Sequence, residues 1–298
     1  MKAIVVREYG EVDVMKLEEV SELAPNENQI LVRVKAAGIN PVDTYVRQGT
    51  HPSTPDLPFT PGKDAAGIVE SIGKNVSKVE VGDRVYLAGS ISGTYAEFSL
   101  CEEGHIWKLP ENASFEEGAG VFVPCATSYR ALIHKAEAKP SETVLVHGAS
   151  GAVGIAAIQW AKNAGLKVIG TASSEQGRGL VKEQGADLVF DHSKEGYLEE
   201  ILEATSGVGV EIVLEMLANV NLVKDFNVLA KFGRIIVIGS RGSLEFDPRL
   251  TMGKDATIKG LALFNALPEE FEEIHSAIFS GLEEGFLNPV VGKTFSLA

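Results

Sequence analysis

Over the first 118 residues the apolar positions fall in short runs. Lys2–Val6 and Gln29–Ala36 are β-rich, and Ala66–Ile72, Arg84–Leu87 and Thr94–Leu100 follow the same style. Between them stand Pro25, Gly38, Pro41, Gly49, Pro52, Pro55, Pro58, Pro61 and Gly62. Short β-rich runs divided by turn formers predict a strand-dominated, barrel-like domain. Near residue 115 the spacing changes. Phe115–Gly120 and Ala126–Lys135 read as helical, and strands then alternate with helices. The strands are Thr143–His147, Lys167–Thr171, Asp187–Phe190, Val210–Leu214, Arg234–Ile238 and Thr257–Leu263. The helices are Gly154–Asn163, Gln176–Gln184, Tyr197–Thr205 and Leu222–Ala230. Runs such as TVLV and IIVI are apolar without alternation, as in strands covered on both faces. The alternation predicts a doubly wound α/β domain with a parallel sheet over residues 119–265. One further helix, Glu269–Glu284, lies in the closing stretch.

Composition narrows the classes. A chain of 298 residues exceeds one ordinary core and suits two domains. Its formal net charge of −14 offers no basic balance to a nucleic acid or an anionic membrane surface. The apolar run Ala3 to Val6 is far shorter than a signal segment, and no stretch approaches the roughly 18 apolar residues of a spanning helix. With two cysteines, Cys101 and Cys125, and no CxxC, neither a disulfide framework nor a cysteine-rich zinc site is expected. A cytoplasmic, reducing location follows as the expectation.

The strongest chemical signal is the segment VLVHGASGAVG, Val144 to Gly154, which contains Ala149-x-Gly151-x-x-Gly154. A predicted strand precedes it and a predicted helix follows, the context in which such glycines hold a dinucleotide. Gly151 lets the backbone approach a pyrophosphate, Gly154 lets the helix lie close to the sheet, and the helix N-terminus offers open N–H groups. In NAD enzymes an acidic residue ends the second strand and binds the ribose 2′-hydroxyl. Here that strand ends in Gly170-Thr-Ala-Ser-Ser174, so NADPH is admitted; Glu175 stands one residue further, and Arg178 is a candidate cation for the 2′-phosphate. The other strand ends supply His192, Leu217–Asn221 and Gly239–Arg241 to the rim of the same crevice.

Zinc alcohol dehydrogenases combine the same two kinds of domain, and they need Cys and His ligands. Here Ala37–Tyr45 has no cysteine and Pro61–Gly67 no histidine, so no metal is expected at the catalytic side. Such a site can still hold an electrophile against a nicotinamide, and quinones need little activation. Tyr45, set to stack on or hydrogen-bond near the nicotinamide, and Asn40, set to orient a carbonyl oxygen, are the candidate catalytic residues, and no side chain stands out as a general acid.

Asn40-Pro-Val-Asp-Thr-Tyr45, Thr60-Pro-Gly62, Val81-Gly-Asp-Arg-Val85, Gly93-Thr-Tyr-Ala-Glu97, the glycine turn, Glu215-Met-Leu-Ala-Asn-Val-Asn221 and Gly239-Ser-Arg-Gly242 resemble the zeta-crystallin family of quinone oxidoreductases, zinc-free members of the medium-chain dehydrogenase/reductase superfamily. The resemblance implies a GroES-like, barrel-type catalytic domain over 1–118, with 266–298 as its return segment, and a Rossmann NADPH-binding domain over 119–265. It implies NADPH-dependent reduction of quinones, ortho-quinones above all, in part by one electron to the semiquinone, without zinc or flavin. Carried over by position, the NADPH contacts are Tyr45, Ser150, Gly151, Ala152, Val153, Ser173, His192, Asn221, Ile238, Gly239, Ser240 and Arg241. Family members are cytoplasmic homotetramers, with a further role in binding AU-rich RNA and in the lens as structural protein. Bacterial relatives have a lysine where this chain has Gly177. Against the family pattern the chain also stops early by about a helix and a strand, which leaves a strand edge expected to be unpaired in the first domain. Reduction of enones or enoyl thioesters, and an RNA-binding or structural role that retains NADPH, are the competing expectations.

Overall fold

The computed structural model describes residues 1–297. Two compact units are present. One comprises Met1–Val123, Phe279–Glu284 and the chain from Pro289; the other comprises Pro124–Ile278 and Gly285–Asn288.

The first unit is built from β1 (Lys2–Val6), β2 (Met15–Glu19), β3 (Gln29–Ala37), β4 (Asp64–Ile72), β5 (Arg84–Ala88), β6 (Phe98–Glu102) and β7 (Ile106–Lys108). Five of these form an antiparallel sheet in the order β6-β3-β4-β5-β7. The β3–β4 register shifts twice, between Leu31 and Val32 and between Val34 and Ala36. Such irregularities bend a strand and curl a sheet. Ile30, Val32, Val69, Val85, Leu87 and Ile106 fill the inside. β2 was not legible as a strand because it buries none of its residues; pairing with β1 holds it extended. The stretch read above for its missing cysteine, with no secondary structure assigned, enters helix α1 (Pro41–Arg47), with Pro41 in its first turn. Proline is pre-set for that position. Helix α2 (Phe115–Ala119) starts at Ser114, whose hydroxyl accepts from Glu117 N while the Glu117 carboxylate accepts from Ser114 N.

The second unit carries β8 (Thr143–Val146), β9 (Lys167–Thr171), β10 (Leu188–Phe190), β11 (Val210–Glu215), β12 (Leu229–Val237) and β13 (Thr257–Gly260). Its helices are α3 (Thr127–Tyr129), α4 (Ala152–Asn163), α5 (Glu175–Glu183), α6 (Tyr197–Ala204), α7 (Ala218–Asp225) and α8 (Arg249–Met252); α9 (Pro268–Glu284) closes the series. The six strands are parallel in the order β10-β9-β8-β11-β12-β13. The chain winds outward from β8 to β10, then returns to lay β11 on the other side of β8. Ligands of open α/β sheets bind at that reversal, outside the carboxyl ends of the strands. Leu145, Ile169, Val213, Ile235 and Phe226 belong to one buried cluster. Each such side chain contributes about 1.5–3 kcal/mol on burial.

One expected helix is displaced. The stretch read as Leu222–Ala230 is helical over Ala218–Asp225, and Leu229 already belongs to β12. The Glu215 side chain accepts from Leu217 N and Asn221 Nδ2, which draws the helix start back over residues of poor helix propensity.

Candidate active site

The glycine turn lies at the carboxyl end of β8, beside the reversal. Gly148 has φ +56°, a left-handed conformation suited to glycine. A Cβ on Gly154 would lie 2.6 Å from Ala149 Cα, so only glycine lets α4 begin this close to the turn. Gly151 is the N-cap of α4 and provides no side-chain cap. The open N–H groups of a twelve-residue helix thus face out where Gly151 and Ala152 are exposed and Ser150 and Val153 half-buried. Backbone donors and the positive end of the helix dipole suit a pyrophosphate.

The neighbouring strand ends continue the rim. After β9, Ser173 is exposed and Ser174 caps α5 by accepting from Gly177 N at 3.0 Å. Arg178 is committed: its Nη1 donates to Ser173 O at 2.7 Å and pairs with Asp191 at 2.8 Å. After β10, His192 is exposed, with Nδ1 3.1 Å from Thr171 Oγ1. Burial of its ring, then the nearby His147 charge, lowers its pKa against the opposing pull of Asp191, so the imidazole is neutral at pH 7. After β12, Ile238 and Gly239 are half-buried, and Ser240 and Arg241 are exposed. Asn219 Oδ1 accepts from Arg241 N at 2.9 Å and holds this loop. Asn221 is half-buried on α7.

Behind the rim is a cluster that sequence reading missed. His147, Glu215 and Asp225 are 3, 0 and 0% exposed. His147 Nε2 lies 2.9 Å from Asp225 Oδ1 and 3.7 Å from Glu215 Oε2. Burial lowers the His147 pKa, but the Asp225 hydrogen bond and the two carboxylate charges outweigh it and the net shift is upward. Burial, aided by the Asp225 charge, raises that of Glu215.

In the first unit, Asn40 and Tyr45 frame the start of α1. Asn40 is 6% exposed and Tyr45 half-buried. Asp43 Oδ2 accepts from Asn40 N at 2.8 Å and from the Tyr95 hydroxyl at 3.0 Å. Asn40 Nδ2 donates to Asp64 Oδ2 at 3.0 Å, and so does Val123 N at 3.0 Å. One amide N–H of Asn40 is therefore already engaged within the protein. Asp64 is 1% exposed, and its Oδ1 has no hydrogen-bond partner. Burial pushes its carboxyl up to about 7 against the Asn40 and Val123 hydrogen bonds. Carboxylates at 43 and 64 are plain in the sequence, but nothing there marks them as buried; a polar residue opening the apolar run DAAGIV within β4 is the one available hint.

Residues 26–111 match the family model of the alcohol dehydrogenase GroES-like domain, and residues 152–280 that of the zinc-binding dehydrogenases. Quinone oxidoreductase of Homo sapiens is 46% identical over 298 residues, covering all of this chain and 91% of the relative. That of Sus scrofa is 47% identical with the same coverage. The chain belongs to the quinone oxidoreductase family. Among solved structures, Escherichia coli quinone oxidoreductase complexed with NADPH superposes with TM-score 0.88 at 32% identity, covering 96% of this chain and 89% of that one.

The likeness to the zinc-binding dehydrogenases raises the question of that metal here. Around α1 and the start of β4 stand Asn40, Asp43, Lys63 and Asp64, a set without thiolate or imidazole. Zinc prefers Cys and His ligands, and these residues do not fit it. The two cysteines are buried, and burial pushes Cys101 up to about 12, which keeps it a thiol.

Proposed function

We propose that this chain is an NADPH-dependent quinone reductase. The observation that carries the reading is the likeness, over its whole length, to relatives named quinone oxidoreductase. The solved family member complexed with NADPH and the uncapped α4 N-terminus both support this dinucleotide. Bound NADPH supplies a hydride to the quinone. Ser150, Gly151, Ala152 and Val153 hold the pyrophosphate, and Ser173 leaves room for the 2′-phosphate. His192 and Asn221 meet the ribose and nicotinamide parts, with Ile238, Gly239, Ser240 and Arg241 beneath them. Tyr45 and Asn40 position the nicotinamide and the quinone. No helix among the described residues is long and apolar enough to cross a membrane. A cytoplasmic location and a homotetramer complete the proposal. The excess of acid over base gives an RNA backbone little to bind, so the RNA role is left out of it.

The test is loss of the nicotinamide absorbance with an ortho-quinone as acceptor, using NADPH and NADH in turn, and an enone as control acceptor. Turnover with NADPH and quinone is expected, at least about tenfold faster than with NADH or with the enone. A chain that binds NADPH yet reduces the enone faster than any quinone overturns the reading.

A further inference from the structure

Glu215 closes β11 beside the reversal in strand order, and its two oxygens meet different neighbours. Oε1 accepts from the Leu217 backbone N–H and, at 3.2 Å, from Asn221 Nδ2. Oε2 faces His147 Nε2 at 3.7 Å, and the same nitrogen meets Asp225 Oδ1 at 2.9 Å. β8 and β11 are adjacent, with Val146 opposite Leu214, so His147 and Glu215 stand level. Asn221 and Asp225 are four residues apart on α7 and share a face. The strand pairing and the helix period together bring these four side chains to one point. Glu215 Oε2 and Asp225 Oδ2 have no hydrogen-bond partner among the described residues.

This arrangement decides the orientation of one amide. Oε1 already accepts from the Leu217 N–H while Oε2 faces the imidazole, so a proton held by the cluster is favoured among Oε2, the imidazole and Asp225, and Oε1 stays the acceptor. Asn221 must then offer its N–H to Oε1, and its carbonyl oxygen is what remains for a ligand. A swinging asparagine could serve a donor or an acceptor; this one is set to serve a donor.

We propose that Glu215 is a positioning residue, which, backed by the His147–Asp225 pair, turns the Asn221 amide so that Oδ1 accepts a hydrogen bond from a hydroxyl or carboxamide N–H of the bound dinucleotide. The inference rests on the function proposed above. A pre-oriented acceptor binds without first losing amide freedom, and it rejects a ligand that brings a second acceptor to the same place.

The experiment measures the NADPH dissociation constant of the full chain and its variants by fluorescence, with thermal unfolding in parallel. Asn221→Ala should weaken binding about tenfold, the loss of one hydrogen bond at a partly desolvated site. Glu215→Leu should weaken it to a similar degree, and the double variant should bind no worse than about the weaker single one, because both remove the same contact. Glu215→Gln keeps an acceptor for Leu217 and Asn221 and should stay within about threefold of the parent. A residue that merely stabilises the fold would lower the unfolding midpoint and give additive losses, about a hundredfold in the double variant, which overturns the proposal. If Glu215→Leu does not fold, Asn221→Asp decides: it keeps an acceptor oxygen but loses the N–H to Glu215, so it should bind no better than Asn221→Ala. Parent-like binding by Asn221→Asp or by Asn221→Ala overturns the proposal. One equivalent of zinc per purified chain, lost in Glu215→Gln, does so too, since the three buried residues would then be ligands. An NADPH analogue with an acetyl group in place of the carboxamide separates the two donors: the Asn221→Ala penalty vanishes if the carboxamide is the donor and persists if a hydroxyl is. A parent chain that binds no NADPH sinks the proposed function rather than this inference.

Discussion

In the first unit Asp64 is wholly buried and is relieved by neutral donors, the Asn40 amide and the Val123 N–H, with the Lys63 charge the last of its helpers. In the second, Glu215 and Asp225 are equally buried, yet they share the imidazole of His147. Both clusters hold an asparagine with a candidate role, Asn40 in one and Asn221 in the other. The difference is what becomes of the charge. A buried carboxyl whose hydrogen-bond partners are neutral takes up a proton near neutral pH, because desolvation outweighs two hydrogen bonds and the weaker Lys63 charge. Burial also raises the Glu215 carboxyl, with the His147 charge pulling it back and the Asp225 charge pushing it further up, so what differs is that here a cationic partner is buried with it. Both devices respond to pH, but in the second the imidazole shares the proton with the carboxyl while Leu217 donates to Oε1.

The largest expected effect comes from removing the shared cation. His147→Leu leaves Glu215 and Asp225 facing each other in the core and should cost about 3–5 kcal/mol of stability, measured by denaturant unfolding. The double variant His147→Leu/Asp225→Leu should regain most of that, since apolar side chains of similar volume replace an ion pair at little net cost. A double variant as unstable as the single one would show that packing of the ring, not its charge, holds the cluster. The His147 pKa is raised on folding, so its contribution is full below the unfolded value near 6.5 and is lost as pH rises through the folded value.

Asp64 tests the other side of the comparison. Its carboxyl rises from an ordinary 3.8 to about 7 on folding. The folded chain therefore binds the proton more tightly than the unfolded chain, and stability falls as pH climbs from about 4 to about 7, then levels off. A rise of that size corresponds to about 4 kcal/mol at most. Asp64→Asn, which can keep an acceptor oxygen toward Asn40 and Val123, should flatten this slope and become more stable than the parent by about 2–4 kcal/mol at pH 8, with near-parity at pH 4. Parallel stability–pH curves for parent and variant would mean that Asp64 keeps its charge in the folded chain.

The chain's pattern revealed the strand–turn–helix at β8 and α4 because TVLV and the glycines act locally, and it revealed the rim because strand ends follow from strand positions. The stretch from Glu215 to Asn221 stood out as a motif, but only the Asn221 end was assigned a role. The role of Glu215 depends on β8 lying next to β11, a contact between residues far apart in sequence. The same holds for Asp64, whose partners Asn40 and Val123 lie 24 and 59 residues away. The α7 boundary was misplaced for a related reason: a side chain outside the helix fixes its first turn. Burial of charge is a tertiary property, and sequence periodicity marks carboxylates as polar wherever they lie.

The smallest effect is expected at the half-buried pair of Arg178 with Asp191 beside Ser173. Both side chains are only partly buried, so solvent screens the charges more than in the core clusters, and such pairs are worth less to stability. Hydrogen bonds from Ser193, and then the Arg178 charge, keep Asp191 a carboxylate by lowering its pKa. Asp191 thus occupies the guanidinium of the candidate cation for a 2′-phosphate. Asp191→Asn should release Arg178 and tighten NADPH about threefold while leaving NADH unchanged, both read as dissociation constants at low salt. The gain should shrink as salt is raised, as it would for any solvent-screened charge pair. If both dinucleotides tighten equally, the released charge acts on the shared pyrophosphate. If neither changes, Arg178 serves only to brace Ser173, and recognition of the 2′-phosphate lies with the hydroxyls of Ser173 and Ser174.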